Sequence, residues 1–392
     1  MILLDKPYVS ELLKETIREN SLPVVKTVGI EEFGFTNDTC LLDEKAAIQQ
    51  AESSDELLVY STSENAISWI TRNLSFTTLP ETISQFKNKA KFRDLIKPLY
   101  PDFYFKEVLL EELGALALDE IPLPFIIKPN VGFFSVGVHK VTDLNSWQRA
   151  KEAISVEIET ADSFYPVEVL DPTSFIIEEC IDGDEFAIDA YFNAAGEPVI
   201  LNIFQHIFSS DEDVSDRVYL TSKEIVENNL ASFTAFLKEI GHLSKAKNFP
   251  VHVEIRRTQL GELIPIEINP LRFGGWCTTA DLTILAYDFN PYLYFFDQKQ
   301  PDWAEILRNK TDKLFSIIVL DNSTGIDGSK IAAFDYDQLL THFKKPLELR
   351  KITYTEHPVF GFLFAETSRE DFPELEFILK SDLREFITLK GE

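Results

Sequence analysis

A multidomain α/β protein is the fold class this sequence predicts, and three observations predict it. Short apolar runs alternate with amphipathic helical stretches through about the first eighty residues, a strand-rich block punctuated by turn signals runs from 175 to 206, and 392 residues exceed one ordinary core. An apolar content of 45% with 12% aromatic residues supports packed cores. Two or three domains follow.

In chain order, residues 1–4, 23–27 and 57–61 read as short buried strands, with helical patterns at 9–20 and 64–74, which make a small α/β layer. A single helix is expected over 83–97, stopped by Pro98, and then strands at 103–108 and 125–129. Helices follow at 144–157, 223–243 and 280–289. Turns are expected at Asp182-Gly183-Asp184 and Ala195-Gly196-Glu197. Beyond Pro301 a tail unit carries strands at 314–320, 347–354 and 359–366 and helices at 336–343 and 372–386. The expected domains are 1–82, 83–300 and 301–392.

With 37 basic against 65 acidic residues and a formal charge of −28, the chain lacks the basic surface that nucleic-acid binders present. A small anionic substrate therefore needs a local basic pocket. Cys40, Cys180 and Cys277 form no CxxC or His/Cys ligand pattern, which excludes a disulfide scaffold or structural zinc and fits a reducing compartment. The longest apolar runs, such as 314–320, are far too short to span a membrane. No address is visible, so a cytoplasmic location is expected, with no nucleic-acid or membrane partner.

The most informative segment is 251–275. Val251, Val253 and Ile255 alternate with His252, Glu254 and Arg256, and Ile264, Ile266 and Ile268 alternate with Pro265, Glu267 and Asn269, the period of two half-buried strands. A symmetric loop around Leu260-Gly261 sets Glu254 opposite Glu267 and His252 opposite Asn269. Facing carboxylates repel, and a magnesium ion relieves that repulsion because hard cations take carboxylate and amide oxygens and bridge them to phosphates. The same residues also suit a wet acidic hairpin face.

Upstream, the run Pro124–Val141 delivers Lys128 from an apolar strand into a turn with Gly132, Ser135 and Gly137. It is not a P-loop, since Val138-His139 stands where Lys-Ser/Thr is required. A second run, 175–192, holds Glu178, Glu179, Cys180, Ile181 and Glu185. These segments, in this order, resemble the ATP-grasp superfamily over roughly 89–292. That resemblance implies an ATP-grasp fold flanked by an N-terminal Rossmann-like α/β layer and a C-terminal α+β extension. It implies Lys128, with Lys89 of the Asn88-Lys89-Ala90 triplet, on the nucleotide phosphates, and the glycine turn closing over them through backbone N–H groups. Glu178, Glu179, Cys180 and Ile181 would be the linker that reads adenine, and Glu185 the ribose ligand. Glu254, Glu267 and Asn269 match the family's magnesium ligands, including the thirteen-residue spacing of the carboxylates, for two ions. Arg272 of NPLRFGG lies near the arginine that meets the substrate carboxylate or its phosphate, although Leu271 makes the stretch one residue longer than usual. Arg217 is favoured over His206 as the basic group over the γ-phosphate.

The implied activity is ATP-dependent ligation: a substrate carboxylate becomes an acyl phosphate and is coupled to an amine, with small-molecule acids and amines such as amino acids or peptides as substrates, and a homodimer as a possible assembly. A small-molecule kinase or a non-catalytic nucleotide-binding module are the alternatives. A dinucleotide oxidoreductase is disfavoured, because no GxGxxG follows the first strand.

Overall fold

The computed structural model describes residues 1–36, 40–54, 56–132, 137–161, 171–209 and 217–391. The N-terminal strands are minimal: β1 (Ile2–Leu3), β2 (Val24–Val25), β3 (Leu41–Leu42) and β4 (Tyr60–Ser61) pair in parallel in the order β3-β2-β1-β4. Their crossovers carry α1 (Glu11–Glu19), capped by Ser10 Oγ on Leu13 N, and α2 (Glu44–Glu52), capped by Asp43. Strand β3 and helix α2 were not foreseen from sequence.

After α3 (Ile67–Asn73), the single helix expected over 83–97 is two: α4 (Leu79–Lys87) and α5 (Lys89–Ile96). Asn88 breaks them. Its backbone is extended (φ −83°, ψ 113°) and its side chain accepts the N–H of Lys91, so it caps α5. Helical periodicity conceals this break, because an asparagine reads equally as a helix surface residue.

A four-stranded sheet consists of β5 (Phe105–Leu109), β6 (Phe125–Val131), β7 (His139–Val141) and β8 (Asp171–Glu179), ordered β5-β8-β6-β7 and antiparallel. Helix α6 (Leu144–Ala161) covers it through Trp147, Ala150 and Ile154, which share a core with Phe125 and Phe175.

An eight-stranded sheet forms the centre. It runs β13-β12-β9-β10-β11-β14-β17-β16, from β9 (Asp184–Phe192), β10 (Pro198–Ile207), β11 (Val218–Ser222), β12 (Phe249–Arg257), β13 (Leu263–Pro270), β14 (Lys313–Asp321), β16 (Pro346–Lys351) and β17 (Val359–Ser368). A separate pair joins β15 (Ile331–Phe334) to β18 (Ile387–Leu389). Three tail strands thus continue the central sheet. Helix α7 (Lys223–Ser244) packs Phe233, Leu237 and Ile240 against one face, and α8 (Thr278–Tyr287) lies near the other. The 372–386 stretch also divides, into a helix over Pro373–Lys380 and a short turn at Arg384–Phe386, after Leu383 adopts a left-handed backbone (φ 64°).

Candidate active site

The hairpin β12–β13 pairs as its periodicity demands: Glu254 faces Glu267 and His252 faces Asn269. The symmetry stops there, because a bulge after Glu254 pairs Ile255 with Pro265. The Asn269 amide donates to Glu254 Oε1 at 3.3 Å and to Glu267 Oε1 at 3.2 Å. Two facing carboxylates and one amide form an oxygen-rich set, and here an N–H donor occupies the place between the carboxylates that a cation would take. Among the described residues no three His, Cys, Asp or Glu side chains form a metal cluster by themselves. The donors fit a hard cation that completes its shell elsewhere, as magnesium does on phosphates.

Helix α5 supplies the cations. Because Asn88 starts a new helix, Lys89 occupies its first turn, and its buried ammonium reaches Glu267 Oε2 at 3.0 Å. Burial alone would raise the Glu267 pKa, but Lys89, then Lys128 and Lys87, hold it well below the usual carboxylate range. One turn on, on the same helical face, Arg93 reaches Glu178 at 2.8 Å and the Pro265 carbonyl at 2.7 Å, with its guanidinium stacked on Phe103. Lys128, delivered by β6, meets the other oxygen of Glu178 at 2.6 Å. Sequence reasoning passed over Arg93, although its i,i+4 spacing from Lys89 was a usable signal.

Glu178, expected in the adenine-reading linker, has its side chain engaged by Arg93 and Lys128. It sits inside the sheet between Phe105 of β5 and Ile126 of β6. Burial pushes its pKa up, yet Arg93 and Lys128 outweigh that and bring it down to about 2. Glu179 also ends β8, and its N–H is already given to the Tyr104 carbonyl. Residues 180–183 join β8 to β9, and there the Ile181 carbonyl accepts from Arg256 at 2.6 Å and Cys180 is half-buried. Gly183 fits there alone: its φ is +123°, and a Cβ would lie 2.1 Å from the Arg257 carbonyl oxygen.

Glu185 lies between two bases that register alone explains. Arg256, directly across on β12, grips Oε2 through two nitrogens at 2.9 and 2.8 Å, and His206, from β10, meets Oε1 at 3.1 Å. Arg217, expected in preference to His206 over the γ-phosphate, is bonded toward the tail instead. The Arg217 guanidinium is occupied by Asp321 at 2.8 Å, by Ser323 and by the carbonyls of Ile378 and Ser381, so it ties β11 to the tail. The reason is that β11 pairs with β14 and faces tail elements.

The extra residue in NPLRFGG has a definite use. Leu271 is left-handed (φ 60°) and buried, and its carbonyl accepts from Ser61 N at 2.7 Å, which fastens the turn to β4. Arg272 then emerges toward Glu64 Oε1 at 3.1 Å. Further on, Gly274 N donates to Asp189, whose same oxygen lies 2.7 Å from His252 Nδ1.

Of the glycine turn, Gly132 is buried and its carbonyl accepts from Lys87 at 3.0 Å, while Gly137 (φ +72°) gives its N–H to Glu157 at 3.0 Å. Ser135 lies outside the described residues. Altogether Lys87, Lys89, Arg93, Lys128 and Arg272 converge on Glu64, Glu178 and Glu267. Among these eight side chains cations outnumber carboxylates five to three, a local basic cluster in a chain at −28.

Residues 121–280 match the model of the ATP-grasp domain. No curated protein matches the sequence significantly. Among solved structures, the fold is similar to that of an L-amino acid ligase from Bacillus licheniformis (TM-score 0.68, 17% identity, covering 100% of this chain and 98% of that one). It is also similar to an N5-carboxyaminoimidazole ribonucleotide synthetase from Thermotoga maritima (TM-score 0.62, 13% identity, 100% and 99%) and to a carboxyaminoimidazole ribonucleotide synthase from Aspergillus clavatus complexed with ATP (TM-score 0.64, 11% identity, 98% and 98%). No helix among the described residues is long and apolar enough to cross a membrane.

Proposed function

Residues 121–280 match the model of the ATP-grasp domain, and on that premise we propose that the chain is an ATP-dependent ligase joining a small-molecule carboxylate to an amine, with release of ADP and phosphate. The observation that carries the reading is the hairpin: Glu254, Glu267 and Asn269 in mutual contact, with Lys89 beside them at 3.0 Å. These three side chains would hold two magnesium ions, which when bound neutralise phosphate charge and orient the γ-phosphoryl group.

Lys89 and Lys128 bind the phosphates, and Glu178 with Arg93 keeps Lys128 aimed by satisfying it in a buried triad. The linker at 180–183 offers backbone groups to adenine, and Glu185, oriented from both sides by Arg256 and His206, accepts from the ribose. Arg272 steers the acid through a guanidinium fork. The carboxylate attacks the γ-phosphorus, the resulting acyl phosphate is attacked by the amine nitrogen, and phosphate leaves with the carboxylate's former oxygen. The surrounding burial excludes water, which would otherwise hydrolyse the anhydride. The L-amino acid ligase likeness makes amino acids the first acids and amines to try. A cytoplasmic location and a homodimer complete the reading.

The test is ADP and phosphate release from Mg-ATP with pooled carboxylic acids, with and without pooled amines, followed by mass analysis. Release requiring both pools, with an adduct one water lighter than acid plus amine, is expected. Release with acids alone and no adduct would make the protein a kinase instead.

A further inference from the structure

Lys87 ends α4, one residue before the break that turns Lys89 toward the hairpin. Its ammonium is 7% exposed, is ion-paired with Glu64, and donates to the Gly132 carbonyl at 3.0 Å. Glu64 comes from the short turn after β4 and is itself 7% exposed. Its second oxygen takes Arg272 Nη2 at 3.1 Å, while Arg272 Nη1 is held by the Phe273 carbonyl at 3.0 Å. Two cations from different elements thus address the two oxygens of one carboxylate.

Buried cations need a counter-anion, since leaving either unpaired costs several kcal/mol. An ammionium point charge beside a guanidinium fork matches any small oxyanion. We propose that Lys87 and Arg272 form a subsite for a small oxyanion, carboxylate or phosphate, and that Glu64 is its built-in occupant, which yields to the incoming group. The inference rests on the ligase reading, because the acid and the phosphate are that reaction's oxyanions. Glu64 also lies within the field of Glu267, so the two carboxylates repel each other across the site. An oxyanion that displaces Glu64 keeps the local charge constant, whereas one bound beside it adds to a pocket that already holds Glu64 and Glu267.

The test uses the full chain saturated with Mg-ADP and titrated calorimetrically with inorganic phosphate and, separately, with acetate. Four proteins are compared: wild type, Glu64→Gln, Lys87→Met and the double variant. Glu64→Gln is expected to tighten at least one oxyanion about threefold to tenfold, Lys87→Met to weaken it by a similar factor, and the double variant, with local charge restored, to return within about twofold of wild type. A response to acetate alone identifies the substrate acid as the occupant, and a response to phosphate alone identifies the transferred group. Unchanged or weaker binding of both in Glu64→Gln overturns the inference. If that variant melts below the assay temperature, Lys87→Met decides, and unaltered affinity for both oxyanions overturns it. Mg-ADP uptake is measured first: its absence in wild type removes the nucleotide reading and this inference with it, whereas uptake without an oxyanion response removes only the inference.

Discussion

Glu178 illustrates what a single residue can reveal and conceal. In sequence it is one of a Glu-Glu pair at the end of an apolar strand, and nothing in its neighbourhood names Arg93, 85 positions earlier, as its partner. Long-range ion pairs of this kind arise from packing, so the partners of Glu64, Lys87 and Arg93 were not legible, while Glu254, Glu267 and Asn269 were, because strand alternation and pairing bring them together locally. Glu178 has a folded pKa near 2 against an ordinary 4.5, so its carboxylate stabilises the fold fully above about pH 4.5 and that contribution is lost as pH falls toward 2. Glu178→Gln strands two buried cations and should cost about 3–5 kcal/mol at pH 7. Urea unfolding of both proteins checks this: the gap should narrow as pH drops from 4.5, and a gap that is constant with pH would contradict the triad.

Elements were legible where their periodicity was unbroken. The hairpin strands, the helix over Lys223–Ser244 and the tail strands stand close to where alternation and amphipathicity put them. The 83–97 helix was not, because Lys87-Asn88-Lys89 continues the helical pattern while Asn88 changes role from surface residue to cap. That break sends Lys87 and Lys89 to different carboxylates. Asn88→Ala removes the cap, at a cost of about 1 kcal/mol, and should weaken Mg-ATP binding beyond what that loss of stability explains; thermal melting and calorimetry together measure both. At the linker, Gly183→Ala meets the Arg257 carbonyl and a positive φ at once. It should lower ATP affinity by more than about tenfold or prevent folding, and near-wild-type ATP binding would show that the linker does not read the nucleotide.

For the molecule as a whole, the order of motifs along the chain was enough to name the family, but the way the terminal regions meet the centre was not. Strands β14, β16 and β17 continue the central sheet, and Arg217 is spent on that junction, a relation invisible to residue spacing. The N-terminal layer reaches the turn after β13 twice, by Ser61 N to the Leu271 carbonyl and by Glu64 to Arg272. An overall charge of −28 says only that anionic substrates need a built basic site, and the proposed one draws five lysines and arginines from four segments: α4, α5, β6 and the turn after β13. Everything proposed for the chemistry depends on the hairpin holding metal and nucleotide together. The most direct measurement is ATP affinity with and without magnesium, in wild type and in Glu267→Gln, with folding followed by circular dichroism. Magnesium should tighten ATP binding in wild type, and Glu267→Gln should remove most of that gain, about 100-fold, with the fold retained. An equal magnesium dependence in the two proteins would contradict the assignment of the hairpin as the metal–nucleotide site.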